Sequence, residues 1–140
     1  MSTPAKPVPR ATAESRPFWD AAQQQKLLLQ HCRACGKFWF PPSARCHHCL
    51  SPDFAWEEVS GEGRIYSFVV YHRLYHPAFE QDLPYVVALI ELREGPRLLT
   101  NIVGAPWQNV RCDQPVHVVF ETATPGATLP QFTLIEPGYD

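Results

Sequence analysis

A chain of 140 residues with a formal net charge of −2 has room for one ordinary domain, or for a small stapled unit beside a modest barrel. It lacks the basic stripe of a nucleic-acid binder. A hydrophobic fraction of 45% excludes a globally disordered chain, no run approaches the ~18 apolar residues of a membrane span, and fifteen prolines argue against long helices.

Residues 1–13 carry Pro4, Pro7 and Pro9 among small residues. They are expected to form an extended, disordered tail that orders only against a partner. Met1-Ser2-Thr3-Pro4 lacks the apolar core of a secretion signal, so the expected compartment is the cytoplasm. Residues 14–26 read as a helical arm, with Ser15 as N-cap, Pro17 in the first turn and Ala21 and Ala22 favouring helix. Phe18 and Trp19 are conspicuous on so short a segment. Either they pin the helix to the chain's own core, or they face another subunit, where aromatic side chains anchor interfaces.

Residues 27–59 are organised around Cys32-Arg33-Ala34-Cys35 and Cys46-His47-His48-Cys49. A two-residue spacer lets both sulfurs of a pair face one ion, and a thiolate-rich tetrahedral site selects zinc or iron–sulfur chemistry. The spacing assigns one structural zinc to Cys32, Cys35, Cys46 and Cys49. Four thiolates close the coordination sphere, so the metal is expected to staple the fold and not to catalyse. Gly36 suits the left-handed turn after the first knuckle; Leu50 stands at the matching place in the second. His31, His47 and His48 are expected to support the ligands or to be exposed. Short strands are predicted at 26–31, 38–40 and 54–59. A unit of this size cannot bury enough surface to fold without its metal.

Residues 60–140 read as all-β. Gly61-Glu62-Gly63 marks a turn, and strands are predicted at 64–73, 84–92, 97–103, 116–121 and 129–136. On the second of these, Val86, Ala88, Ile90 and Leu92 share one face. Tyr85, Val87 and Leu89 make the other face apolar as well, so cover on both sides is expected. Pro106-Trp107 falls between the third and fourth strands, where an OB-type barrel inserts a short helix or loop. The most chemically loaded loop runs from Tyr71 to Phe79. Its Tyr71, His72, Tyr75, His76 and Phe79 are candidates to face a ligand or partner, with no nucleophile or paired carboxylate nearby to suggest catalysis. Arg64, Arg73, Arg93, Arg97 and Arg111 are candidate phosphate contacts or ordinary surface ion pairs. Cys112 is expected to be an inert, partly buried thiol.

A wider set of residues resembles a known family. It comprises Pro17-Phe18-Trp19, Leu27-Leu28-Leu29-Gln30-His31-Cys32, Cys35-Gly36, Phe40-Pro41-Pro42, Cys46-His47-His48-Cys49 and Val59-Ser60-Gly61-Glu62-Gly63. Tyr66-Ser67-Phe68, His76-Pro77-Ala78-Phe79, Pro84-Tyr85-Val86-Val87-Ala88 and Leu98-Leu99-Thr100-Asn101 complete it. The resemblance is to the bacterial and archaeal zinc-ribbon/OB-fold proteins associated with acyl-CoA metabolism. It implies a mainly β protein with an N-terminal helical arm, a rubredoxin-like four-cysteine zinc ribbon and a C-terminal five-stranded OB-fold barrel. It also implies a non-catalytic small partner of a thiolase-superfamily enzyme that helps hold or channel a CoA ester. The alternative from architecture alone is a single-stranded nucleic-acid binder, which the acidic charge balance disfavours.

Overall fold

The computed structural model describes residues 9–74, 77–124 and 127–135. Residues 1–8 of the expected tail, the candidates Tyr75 and His76, and the expected end of the last strand at Glu136 lie outside them.

The arm is α1 (Arg16–Gln23), with Phe18 and Ala22 buried. Ser15 occupies the N-cap position but makes no side-chain cap. Its Oγ instead accepts from the Thr12 N–H at 2.9 Å, and its own N–H donates to Thr12 Oγ1 at 3.1 Å. Those bonds tie the hydroxyl to the incoming chain, which corrects the expected cap. The helix rests against β1 and β8, the first and last strands. Among the described residues no helix is long and apolar enough to cross a membrane.

The ribbon is a three-stranded antiparallel sheet of β1 (Leu28–Cys32), β2 (Phe38–Trp39) and β3 (Phe54–Glu58), in the order β2-β1-β3. The barrel follows as β4 (Glu62–Tyr71), β5 (Tyr85–Leu92), β6 (Arg97–Val103), β7 (Pro115–Thr124) and β8 (Ala127–Leu134). It closes in the order β4-β5-β6-β8-β7, with β4 returning to β7. The pairs are antiparallel except β6 with β8. Short 3₁₀ helices at Pro77–Asp82 and Trp107–Asn109 interrupt two of the connections. A bulge between Ile65 and Ser67 bends β4, as an extra residue in one strand does, so that the strand can pair with β5 along its length and with β7 at its start. Gly63 is required in this bend, because a Cβ there would stand 2.5 Å from the Glu91 carbonyl oxygen.

Alternation along β5 buries Val86, Ala88, Ile90 and Leu92 inside the barrel, beside Ile65, Val116 and the fully buried Phe132. Phe18 of the arm and Leu27 and Leu29 of the ribbon belong to that same hydrophobic cluster. Ribbon and barrel therefore share a core. A separate small cluster of Cys32, Trp39 and Cys46, with Phe54 against it, lies under the knuckles.

The outer face of β5 is not covered as expected. Val87 and Leu89 are half-buried, and their neighbours in register, Val69 on β4 and Leu99 on β6, are exposed. The apolar pattern is present in the sequence, but within the described residues no element lies over it.

Most of the arginines named above are engaged in surface ion pairs. Arg64 bonds Glu91 Oε1 at 3.0 Å and also pairs with Asp113, Arg97 Nε bonds Glu91 Oε2 at 3.2 Å, and Arg93 pairs with Glu62. Hydrogen bonds from Arg97 and then Arg64 hold the Glu91 carboxyl below the usual carboxylate range. A depressed acid stabilises the fold at neutral pH, and that contribution is lost as pH falls through the folded-state pKa. Glu91→Gln is thus expected to melt earlier than wild type at pH 7. The difference should fade below about pH 4, as thermal melts across pH will show. Arg97 also lies over the ring of the exposed Tyr66 at 3.8 Å, a cation–π contact.

Candidate functional site

The four cysteines of the two C-x-x-C pairs come together at the end of the ribbon. Their sulfurs all lie within 4.8 Å of one another, with Cys32 Sγ to Cys49 Sγ at 3.5 Å and Cys35 Sγ to Cys46 Sγ at 3.7 Å. A tetrahedron with metal–sulfur bonds of about 2.3 Å has edges of about 3.8 Å, so the cluster has the right size for a single zinc ion. A disulfide needs sulfurs about 2.05 Å apart, and all four thiols are free.

The two knuckles share one backbone design. Gly36 N–H bonds the Cys32 carbonyl at 3.0 Å, and Leu50 N–H bonds the Cys46 carbonyl at 3.0 Å. Backbone N–H groups of Cys35 and His48 point at the sulfurs of Cys32 and Cys46, at 3.4 and 3.3 Å. Such donors favour thiolate. The Cys35 N–H is the largest influence that brings Cys32 down to about 6. For Cys49 the Ser51 N–H pulls the same way, but proton sharing with Cys32 and burial outweigh it and push the thiol up to about 12. Without a cation, four sulfurs this close cannot all be thiolates; a bound dication removes that conflict.

Both turns require a left-handed residue after the second cysteine. Gly36 has φ +78° and Leu50 φ +66°. The leucine is strained there and gains little from packing, being 67% exposed. Leu50→Gly is expected to stabilise the ribbon by about 1 kcal/mol, the left-handed penalty less the extra unfolded-state entropy of glycine. Chemical denaturation of the metal-loaded protein measures this.

Outside the sulfurs, two of the three ribbon histidines brace the knuckles, and His47 is exposed. His31 pairs through Nδ1 with Glu57, faces the Gly36 carbonyl through Nε2 at 2.9 Å and stacks on Phe38. His48 Nε2 lies 3.2 Å from the Phe38 carbonyl. Gln30, buried beneath the knuckles, donates to the Ser43 carbonyl at 2.7 Å and accepts the Ser43 N–H at 2.9 Å. This reciprocal pair fixes the loop between the two cysteine pairs. Nothing in the sequence pattern marks Gln30 for that task.

The other candidates separate. Phe18 is only 4% exposed and packs with Phe40 and Trp19, so it belongs to the chain's own core; Trp19 stays partly exposed. Tyr71 stacks on Tyr85 at 5.1 Å, and His72 meets Trp107 edge-on at 5.0 Å. Phe79 lies on the 3₁₀ helix Pro77–Asp82. Cys112, expected partly buried, is exposed in the turn before β7, where Asp113 takes a positive φ. Beside Trp107 a groove of about 410 Å³ opens on the outside of the barrel, reaching across to Glu121 and Gln131. Sequence reading missed these last two residues and saw Trp107 only as part of a connection.

Comparison with known proteins agrees with this architecture. Residues 19–55 match the family model described as "ChsH2, rubredoxin-like zinc ribbon domain", and residues 56–121 match "ChsH2, C-terminal OB-fold domain". A solved structure described as "Ltp2-ChsH2(DUF35) aldolase" superposes with a TM-score of 0.81 at 41% identity, over 90% of this chain and 98% of that one. The chain belongs to the ChsH2-type DUF35 family of zinc-ribbon/OB-fold proteins. Among curated relatives, the probable enoyl-CoA hydratase alpha subunit of Thermomonospora curvata is 42% identical over 91% of this chain. The chain spans only 39% of that protein's length. The benzoylsuccinyl-CoA thiolase subunit BbsA of Thauera aromatica is 30% identical, over 65% of this chain and 60% of its own.

Proposed function

We propose that this chain is a non-catalytic, zinc-containing accessory subunit that binds a thiolase-superfamily enzyme in the cytoplasm and helps hold or channel its acyl-CoA substrate. The observation that carries the reading is membership of a family whose matched relatives are named as subunits of CoA-ester enzymes. The site chemistry supports it. Cys32, Cys35, Cys46 and Cys49 form a closed set of four donors, with no position left for substrate or water. A zinc ion held by them supplies folding free energy and fixes the knuckles. Among the described residues no serine or cysteine is hydrogen-bonded to a histidine in the manner of an activated nucleophile. Residues 14–26 then act as the arm, 27–59 as the ribbon and 60–140 as the barrel domain; one family model gives way to the other at residues 55–56, near the second of these boundaries.

Co-expression with a thiolase-like enzyme encoded beside its gene tests the proposal. The two are expected to co-purify, and turnover of a CoA ester is expected from the complex and not from this chain alone. Thiolysis, condensation or retro-aldol cleavage by the isolated chain overturns the non-catalytic role. Failure to recover any such partner overturns the subunit role.

A further inference from the structure

The four thiols of the ribbon are not equivalent. Cys32 and Cys46, the first cysteine of each pair, are fully buried, whereas Cys35 and Cys49, the second of each, are exposed. Each exposed sulfur lies against the buried sulfur of the opposite knuckle, Cys49 with Cys32 at 3.5 Å and Cys35 with Cys46 at 3.7 Å. A small polar oxidant can therefore reach one sulfur of each couple, and a second sulfur stands behind it at contact distance. Sulfurs that hold a metal are already thiolates, the form that peroxides attack.

We propose that the ribbon is a redox-responsive clasp, in which a peroxide converts the Cys32–Cys49 and Cys35–Cys46 couples into two nested disulfides that replace zinc and keep the knuckles joined. Peroxide takes two electrons from the Cys49 thiolate: its O–O bond breaks, an S–OH bond forms and hydroxide leaves. The Cys32 thiolate then attacks that sulfur; the S–S bond forms and the S–OH bond breaks, releasing a second hydroxide. Two thiolates become one disulfide, and one peroxide becomes two hydroxides that solvent protons neutralise. A second peroxide does the same at Cys35 and Cys46. Disulfide sulfur is no longer a thiolate ligand, so the chain gives up its ion as the dication. The inference rests on the four-cysteine site and is independent of the subunit reading.

The connectivity decides what oxidation does to the fold. Bridges within each C-x-x-C pair would leave the knuckles free to part once the metal is gone. The nested bridges instead span 17 and 11 positions of the chain, and a cross-link over a longer loop removes more freedom from the unfolded state. They also hold Cys32 and Cys46 over Trp39 and Phe54, where the metal held them. Thiol reductants of a reducing compartment cleave such bridges and restore the ligands, so the exchange is reversible.

The test uses the full zinc-loaded chain, as wild type and as Cys112→Ser, which removes the exposed thiol outside the cluster. Hydrogen peroxide is expected to release the whole zinc content of the variant to a chromogenic chelator. Trypsin cuts after Arg33, Lys37 and Arg45, leaving Cys32 and Cys35 on separate peptides and Cys46 with Cys49 on a third. Bridges across the knuckles join all three peptides, and fragmentation between Cys46 and Cys49 assigns the partners. The oxidised, zinc-free protein should melt about 5 °C or more above protein stripped of zinc under reducing conditions. Dithiothreitol with added zinc should restore full metal content. Zinc retained while Cys112 of the wild type is oxidised, bridges of any other connectivity, or sulfinic acids in place of bridges overturn the proposal. A chain that holds no zinc before peroxide is added removes the site, and the exchange with it.

Discussion

Replacing Cys46 with serine is expected to open both knuckles and to lower the melting temperature of the barrel as well. Cys46 is fully buried, its sulfur lies 3.7 Å from Cys35 Sγ, and the cluster beneath it is small, being Cys32, Trp39 and Cys46 with Phe54. That cluster cannot hold the loops without the ion, since structural zinc in small domains contributes on the order of 10 kcal/mol. The effect spreads because Leu27 and Leu29 are part of the barrel's hydrophobic cluster. Metal analysis is expected to give one zinc per wild-type chain and less than about half an equivalent in the variant. Circular dichroism should show strand signal retained in the variant with an earlier melt. A Cys46→Ser protein with full metal content and an unchanged melt excludes the structural site.

Phe18→Ala and Trp19→Ala are expected to act on different quantities although the residues are adjacent. Phe18 is buried in the shared core, and truncating a core phenylalanine costs about 3–5 kcal/mol. For a domain of this size that is a fall of roughly 10 °C or more in melting temperature. Trp19 lies at the edge of the same cluster and keeps part of its ring accessible. Its removal should cost less stability and, where the arm contributes to the partner contact, about 2 kcal/mol of association, roughly thirtyfold in Kd. Melting curves and partner titrations on the two single variants separate these effects. Unchanged affinity in Trp19→Ala removes the arm from the interface.

The parts of this molecule that are local in sequence were legible there. The knuckles depend on cysteines two residues apart and a left-handed residue after each pair, so spacing alone identified them, including the odd leucine at position 50. Strand positions in the barrel followed from β-branched and aromatic runs, and the interruption at Trp107 from Pro106. What depends on closure of the sheet was not legible. Gln131 and Asn101 meet because β8 returns beside β6 in parallel, a pairing that strand propensity does not encode. The cover expected over Val87 and Leu89 was inferred from a correct pattern, but apolar residues on both faces show only that both faces seek cover and do not name its source. At Ser15 the residue type suited a cap, and competition from Thr12 redirected the hydroxyl. For Phe18 and Trp19, a helix this short leaves open which ring turns inward; packing against Phe40 decided it.

Because Phe18, Leu27 and Leu29 join the barrel's interior, the zinc-binding end and the Trp107 end are held in one frame and do not move as beads on a string. A change that loosens the knuckles is therefore felt in the packing of the barrel, and the two ends gain or lose order together. The same frame fixes the distance between the knuckles and Trp107, so that any surface meeting this chain meets a single rigid body.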